Sequence, residues 1–208
     1  GNEAIWYIRE VQKKAVYTRP ELAKQLSSEA LRYLYRLLFL FYLEARAEKL
    51  GTVPMRNEAY KTGYSLEALR DLEMVPLLTP EAQNGWYFDD SIKLLFSMIA
   101  NGVHPDKRGT LDFSGKPLHD EFSIDKIESH LFDVKLTPLL HSVRLRNSVW
   151  QKIIQLLSLS REQNGRNRRR GRVSYAQLGI IQLGAVYEGL LSYRGFFAES
   201  DLYEVKKA

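Results

Sequence analysis

The sequence predicts an all-α protein, an irregular multi-helix bundle with at most a small β element. Apolar residues recur every three or four positions over much of the chain, which is the spacing of one helix face. Serine, asparagine, aspartate or proline precedes most of these runs, as at helix N-termini. Alternation typical of strands is confined to residues 110–113 and 196–205. Helices are therefore expected to form the core.

The N-terminal half contains the longest helical pattern. Residues 3–14 fit a first helix, and Pro20 suits the first position of a short second helix. Ser27 or Ser28 is expected to cap a long central helix that ends at Gly51. Shorter helical patterns follow at residues 66–74, 92–100 and 148–159.

A further helix is predicted in the C-terminal region, with Ser174 as its N-cap and Gly195 as the residue that stops it. Its apolar face is formed by Ile180, Leu183, Tyr187, Leu190 and Leu191. Three glycines, Gly179, Gly184 and Gly189, lie in the same pattern. Each costs a helix about 1 kcal/mol relative to alanine. Close approach of another backbone would explain why they are present.

The composition fits one folded domain over residues 1–208, and a subdivision into 1–102 and 123–208 is the second option. The connection between those halves, 103–122, is irregular and contains two prolines and two glycines. The chain has no cysteine, which excludes disulfides and thiolate metal sites and fits a cytoplasmic location. No apolar run approaches the roughly 20 residues of a membrane span, so no membrane partner is expected.

Positive charge is concentrated in the basic loop, residues 161–172. This loop contains six arginines and one acid, so it carries the whole net charge of +5. Guanidinium groups bind phosphates through paired hydrogen bonds without reading sequence. The residues predicted to contact the phosphates of duplex DNA are Arg166, Arg168, Arg169, Arg170 and Arg172. The alternative is a solvated linker between two helices.

No catalytic or metal-binding residue is assigned. The four histidines, His104, His119, His130 and His141, are too irregularly spaced for a helical metal pair. The tail contains Glu204-Val205-Lys206 after Asp201, which matches half of a metal-dependent nuclease motif. A connecting segment is the simpler interpretation, because the motif is short and a partner aspartate on a neighbouring strand is also required.

Residues 182–193, Gln-Leu-Gly-Ala-Val-Tyr-Glu-Gly-Leu-Leu-Ser-Tyr, resemble the LG-x-x-YE-x-LL helix of large DNA methyltransferases. The form is most similar to that of single-chain type II restriction–modification enzymes that modify adenine. Residues 35–46 are similar to that family's hydrophobic helix ending in Glu-Ala-Arg. The segments 64–66 and 131–133 also resemble it, although His130 stands where the family often has glycine.

The resemblance implies a helical region of a larger enzyme, preceding an S-adenosylmethionine-binding methyltransferase core. The core's glycine-containing cofactor motif and Asn-Pro-Pro-Tyr-type motif do not occur in these residues. We therefore expect no methyltransferase activity and no cofactor in this segment alone. The expected partners are duplex DNA and neighbouring methyltransferase and nuclease or specificity domains. The alternative is a helical scaffold or protein–protein interaction domain that never touches DNA.

Overall fold

The computed structural model of the protein describes residues 1–104, 122–160 and 171–198. These residues are mainly helical, which confirms the all-α prediction. Their β structure is limited to two isolated antiparallel bridges, Val103 with Ile124 and Leu159 with Arg172. The predicted strand at 110–113 lies outside the described residues.

Helices of very different length make up the fold. In chain order they are α1 (Asn2–Trp6), a π-helix (Tyr7–Val11), α2 (Pro20–Ala45), α3 (Ala47–Leu50), α4 (Glu58–Gly63), α5 (Leu66–Asp71), α6 (Pro80–Asn84), α7 (Tyr87–Asn101), α8 (Pro138–Ser142), α9 (Asn147–Ser158) and α10 (Ile180–Leu191). Three 3-10 turns accompany them at His130–Phe132, Val134–Leu136 and Tyr175–Gln177.

The long helix α2 is continuous, so the predicted break at Ser27 or Ser28 is wrong. Its buried stripe runs in register past both serines; the buried apolar residues on it include Leu22, Leu26, Tyr33, Leu37 and Leu40. Packing of this stripe outweighs the weak helix propensity of serine. The helix ends at Ala45, and α3 adds one turn before Gly51, whose φ of 65° is the left-handed cap expected there.

The hydrophobic core is built around α2. This helix packs against α5, α8, α10 and the turn at Tyr175–Gln177, while α9 packs against α5, α6 and α7. Phe41 of α2 stacks on Tyr175, with ring centroids 4.8 Å apart. Buried residues from both sides of the 103–122 connection belong to one cluster.

Buried polar side chains connect the helices, because a side chain from one helix accepts a hydrogen bond from the first turn of another. Glu29 accepts a hydrogen bond from the Leu140 backbone N–H in α8, at 2.9 Å. Asn147 accepts one from the Phe88 N–H at the start of α7, at 3.1 Å. Because the first N–H groups of a helix have no partner within it, these contacts fix where the short helices begin.

Candidate functional site

The two ends of the basic loop meet on the protein surface. Arg166, Arg168, Arg169 and Arg170 lie outside the described residues, but residues on both sides of them are placed. The Ser160 N–H donates to the Gly171 carbonyl at 2.8 Å, and the Val173 N–H donates to the Ser158 carbonyl at 2.7 Å. The chain therefore leaves α9 and returns at the same point, which we call the loop base, residues 158–160 and 171–173.

The buried side chain of Arg70, on α5, donates hydrogen bonds to both segments of the loop base. Its Nε donates to Ser158 Oγ at 2.5 Å, and its Nη2 donates to the Val173 carbonyl at 2.7 Å. The guanidinium also lies 5.7 Å from the centre of the Phe41 ring on α2. A fork of donors in one fixed plane can satisfy acceptors on two chain segments at once. Arg70 thereby ties the loop base to the core.

Arg172 is engaged by carboxylates at the loop base. Its Nε donates to Glu73 Oε1 at 3.0 Å, and its Nη1 donates to Asp71 Oδ1 at 2.9 Å. Its Nη2 donates to the Arg70 carbonyl at 3.2 Å. The hydrogen bond to Asp71 raises the pKa of Arg172. The phosphate contact predicted for Arg172 stays a prediction, and a phosphate there has to compete with two carboxylates.

The helix α10 begins and ends at other residues than the sequence predicts. Ser174 makes no capping hydrogen bond; it precedes the 3-10 turn, and α10 begins only at Ile180. The Tyr175 hydroxyl donates to the Leu157 carbonyl at 2.7 Å and its ring packs on α2, which fixes the chain before the helix. At the other end α10 stops at Leu191, so Gly195 does not terminate it.

Only part of the apolar face predicted for α10 is covered by the described protein. Leu183 is fully buried, and Tyr187 lies 4.5 Å from the Tyr35 ring of α2. Ile180 and Leu191, predicted to face inward, are 61% and 57% exposed, and Ile181 is 86% exposed. A helix that is apolar on its outer side as well is unusual for a free surface.

The glycines of α10 face open space. A Cβ atom added at Gly184 or Gly189 would meet no described atom within 4 Å, leaving out the helix's own nearby backbone. The predicted close approach therefore does not occur there within the described chain. It occurs at Gly195, where an added Cβ would lie 2.6 Å from the Cβ of Ser27 and 3.0 Å from the Ala23 carbonyl oxygen. Sequence alone gave no signal for this pairing across 168 positions of the chain.

The histidines considered as metal ligands form no metal-binding group within the described ranges. No group of three or more histidine, aspartate or glutamate side chains there could hold a metal ion. His119, Asp201 and the segment 204–206 lie outside those ranges. A groove of about 740 Å³ beside the end of α7 is lined by mixed charges, including Lys126, Glu128, Asp133 and Lys135. The sequence alone did not identify Asp71 and Glu73 as partners of Arg172. Both residues are about 100 positions from Arg172 in the chain, and only the fold places them in contact with it.

Within residues 1–104, 122–160 and 171–198, no helix combines the length and hydrophobicity needed to span a bilayer. Comparison of the chain with protein-family models, with curated proteins and with solved structures found no match.

Proposed function

We propose that this chain is a helical domain of a restriction–modification enzyme and positions an adenine-specific DNA methyltransferase core on duplex DNA. The core, with its S-adenosylmethionine, is a neighbouring domain, and this segment has no catalytic residue of its own. The observation that carries the proposal is the open apolar surface of α10. It overlaps residues 182–193, the stretch that resembles the helix preceding the methyltransferase core.

The outer surface of α10 supports a docking role. Ile181, Ile180 and Leu191 are each more than half exposed, and Tyr193 and Phe196, just beyond the helix, are 69% and 71% exposed. Fully burying one such side chain is worth about 1.5–3 kcal/mol, so covering several of them supplies a substantial driving force. The open positions at the α10 glycines leave room for another backbone to come close.

The basic loop supports a DNA-contacting role. Residues 161–170 contain five arginines and one acid, and the loop base is tied to α5 and α9 by backbone bonds and Arg70. We assign phosphate contact to Arg166, Arg168, Arg169 and Arg170. These contacts supply affinity and orientation, while sequence recognition belongs to other parts of the enzyme.

A titration with DNA tests the contact with phosphates. A labelled mixed-sequence duplex is titrated with the 208-residue chain at several salt concentrations. Replacing Arg168, Arg169 and Arg170 by alanine should weaken binding and reduce the slope of log K against log salt by about 3, since each lost phosphate contact removes about 0.9. The matched control replaces three exposed cations near the N-terminus, Lys13, Lys14 and Arg19, and should change the slope much less.

The coding sequence that follows Ala208 tests the proposed connection to a methyltransferase core. The reading frame after Ala208 should encode a glycine-containing cofactor motif and an Asn-Pro-Pro-Tyr-type motif. If it does, the separately expressed core should bind this chain, and Ile181→Glu with Leu191→Glu should abolish the binding by placing charges on the apolar surface. A frame without these motifs contradicts the proposal.

The second candidate function is a helical scaffold or protein–protein interaction domain that does not touch DNA. The pairing of Arg172 with Asp71 and Glu73 favours it, because one of the five predicted phosphate ligands is already bound within the protein. Absence of DNA binding by the chain at low salt, together with retained docking through α10, would select the scaffold.

A further inference from the structure

We infer that Arg172 is a positioning residue for the DNA contact, which neutralises the carboxylates of Asp71 and Glu73 at the loop base instead of binding phosphate itself. This inference rests on the proposed DNA contact by the basic loop. It assigns different roles to neighbouring arginines of that loop.

The charges at the loop base are divided between two arginines. Arg70 Nη1 pairs with Glu67 at 3.3 Å, while Arg172 binds both Asp71 and Glu73. Glu67 is also 3.7 Å from Arg172. The Glu73 side chain is only 1% exposed, and within the described residues Arg172 is the cation that pairs with its carboxylate. Asp71, by contrast, is 67% exposed and faces solvent next to the point where the basic loop leaves the protein.

Removing the Arg172 charge leaves the exposed Asp71 carboxylate uncompensated at the loop base, and the buried Glu73 loses its ion-pair partner. The range of such charges in physiological salt is about 8 Å, which covers the residues adjoining the base. They repel the phosphates of an approaching duplex. This repulsion lowers DNA affinity although Arg172 makes no contact with DNA.

A mutant cycle separates this role from a direct contact. The variants of the 208-residue chain are Arg172→Gln, the pair Asp71→Asn with Glu73→Gln, and all three together. Arg172→Gln should weaken binding to the labelled duplex by about fivefold, the upper range for a pair near the surface. When both acids are neutralised, the same substitution should have little effect. The triple variant should then show the affinity and the salt slope of the parent.

Control measurements distinguish a loss of DNA binding from a loss of the folded structure. Thermal unfolding of each variant reports loss of the fold, and Arg172→Lys, which keeps the charge but not the fork of donors, should bind more tightly than Arg172→Gln. Arg56→Gln removes an exposed arginine that pairs with Glu48 at 3.6 Å in another part of the protein. It should leave the affinity nearly unchanged.

Each other outcome overturns the inference. If Arg172→Gln weakens binding equally with and without the acids, and the triple variant's slope is lower by about 0.9, then Arg172 binds a phosphate directly. If Arg172→Gln has no effect, or Arg172→Lys is as weak as Arg172→Gln, the neutralising role is wrong while the DNA contact stands. If no variant and no parent chain binds DNA at low salt, the proposed DNA contact falls as well.

Discussion

The Tyr60 hydroxyl donates a 3.1 Å hydrogen bond to Oε1 of Glu44, a carboxyl group almost entirely enclosed by the protein. The same carboxyl group accepts from the backbone N–H groups of Leu66 and Glu67, at 2.8 and 2.9 Å. It therefore caps α5 from the side of α2. Through α5 it supports Arg70, which holds the loop base.

The stability of the protein should depend on the ionisation of Glu44. Burial raises the pKa of Glu44 to about 7, against the hydrogen bonds that favour its carboxylate. In the unfolded chain the pKa is ordinary, so between pH of about 4.5 and 7 the folded protein binds more protons. The free energy of unfolding contributed by this group should therefore fall as pH rises through that window, by on the order of 3 kcal/mol.

Urea denaturation of the parent and of Glu44→Gln between pH 4 and 8 checks this dependence. The glutamine variant should lack the fall, and it should be less stable at the acid end, because its amide cannot accept from both α5 N–H groups and the Tyr60 hydroxyl. Glu58→Gln, an exposed replacement on α4, should keep the pH dependence. The same pH profile in Glu44→Gln and in the parent would exclude Glu44 as its source.

Arg36 should be one of the most important side chains for folding. It is 1% exposed, and it donates to the carbonyls of Leu131 and Asp133 at 2.6 and 2.9 Å and to Thr137 Oγ1 at 3.0 Å. Burial lowers the pKa of Arg36 to about 10, so it stays charged at neutral pH. Arg36→Met removes the guanidinium donors from one buried and two half-buried acceptors and should lower the free energy of unfolding by roughly 3 kcal/mol.

The matched control for Arg36 is Arg32, one helical turn earlier on α2. Arg32 donates to the Leu136 carbonyl at 2.8 Å in an exposed setting. Arg32→Met should therefore cost about 0.5 kcal/mol or less in urea denaturation. Equal losses from the two substitutions would contradict the special role of the buried arginine.

Substituting glycine by alanine should change the stability of the protein in opposite directions at Gly195 and Gly189, because their surroundings differ. Gly195→Ala places a methyl group 2.6 Å from the Ser27 Cβ, and the resulting shift should destabilise the chain by about 1–3 kcal/mol. Gly189→Ala fills open space on α10 and should stabilise the isolated chain by about 1 kcal/mol. Thermal unfolding measures both effects. If Gly195→Ala is harmless, the close packing of residue 195 on α2 is wrong.

Local patterns predicted helix type well and helix limits poorly. Gly51 acts where predicted, because a left-handed φ is a property of a few adjacent residues. The start of α7 depends instead on Asn147, distant in sequence, and α2 continues through Ser27 because packing outweighs a capping preference. Such partners are chosen by the fold, so a local pattern cannot reveal them.

The sequence by itself determined the fold class, the absence of cysteine chemistry and the concentration of positive charge in the basic loop. All three follow from composition and from spacing within short windows. Only the tertiary structure decided that Arg172 pairs with Asp71 and Glu73, and that much of α10 is left uncovered. The physical reason is that burial and ion pairing depend on which distant segments share a surface, and side-chain packing sets that.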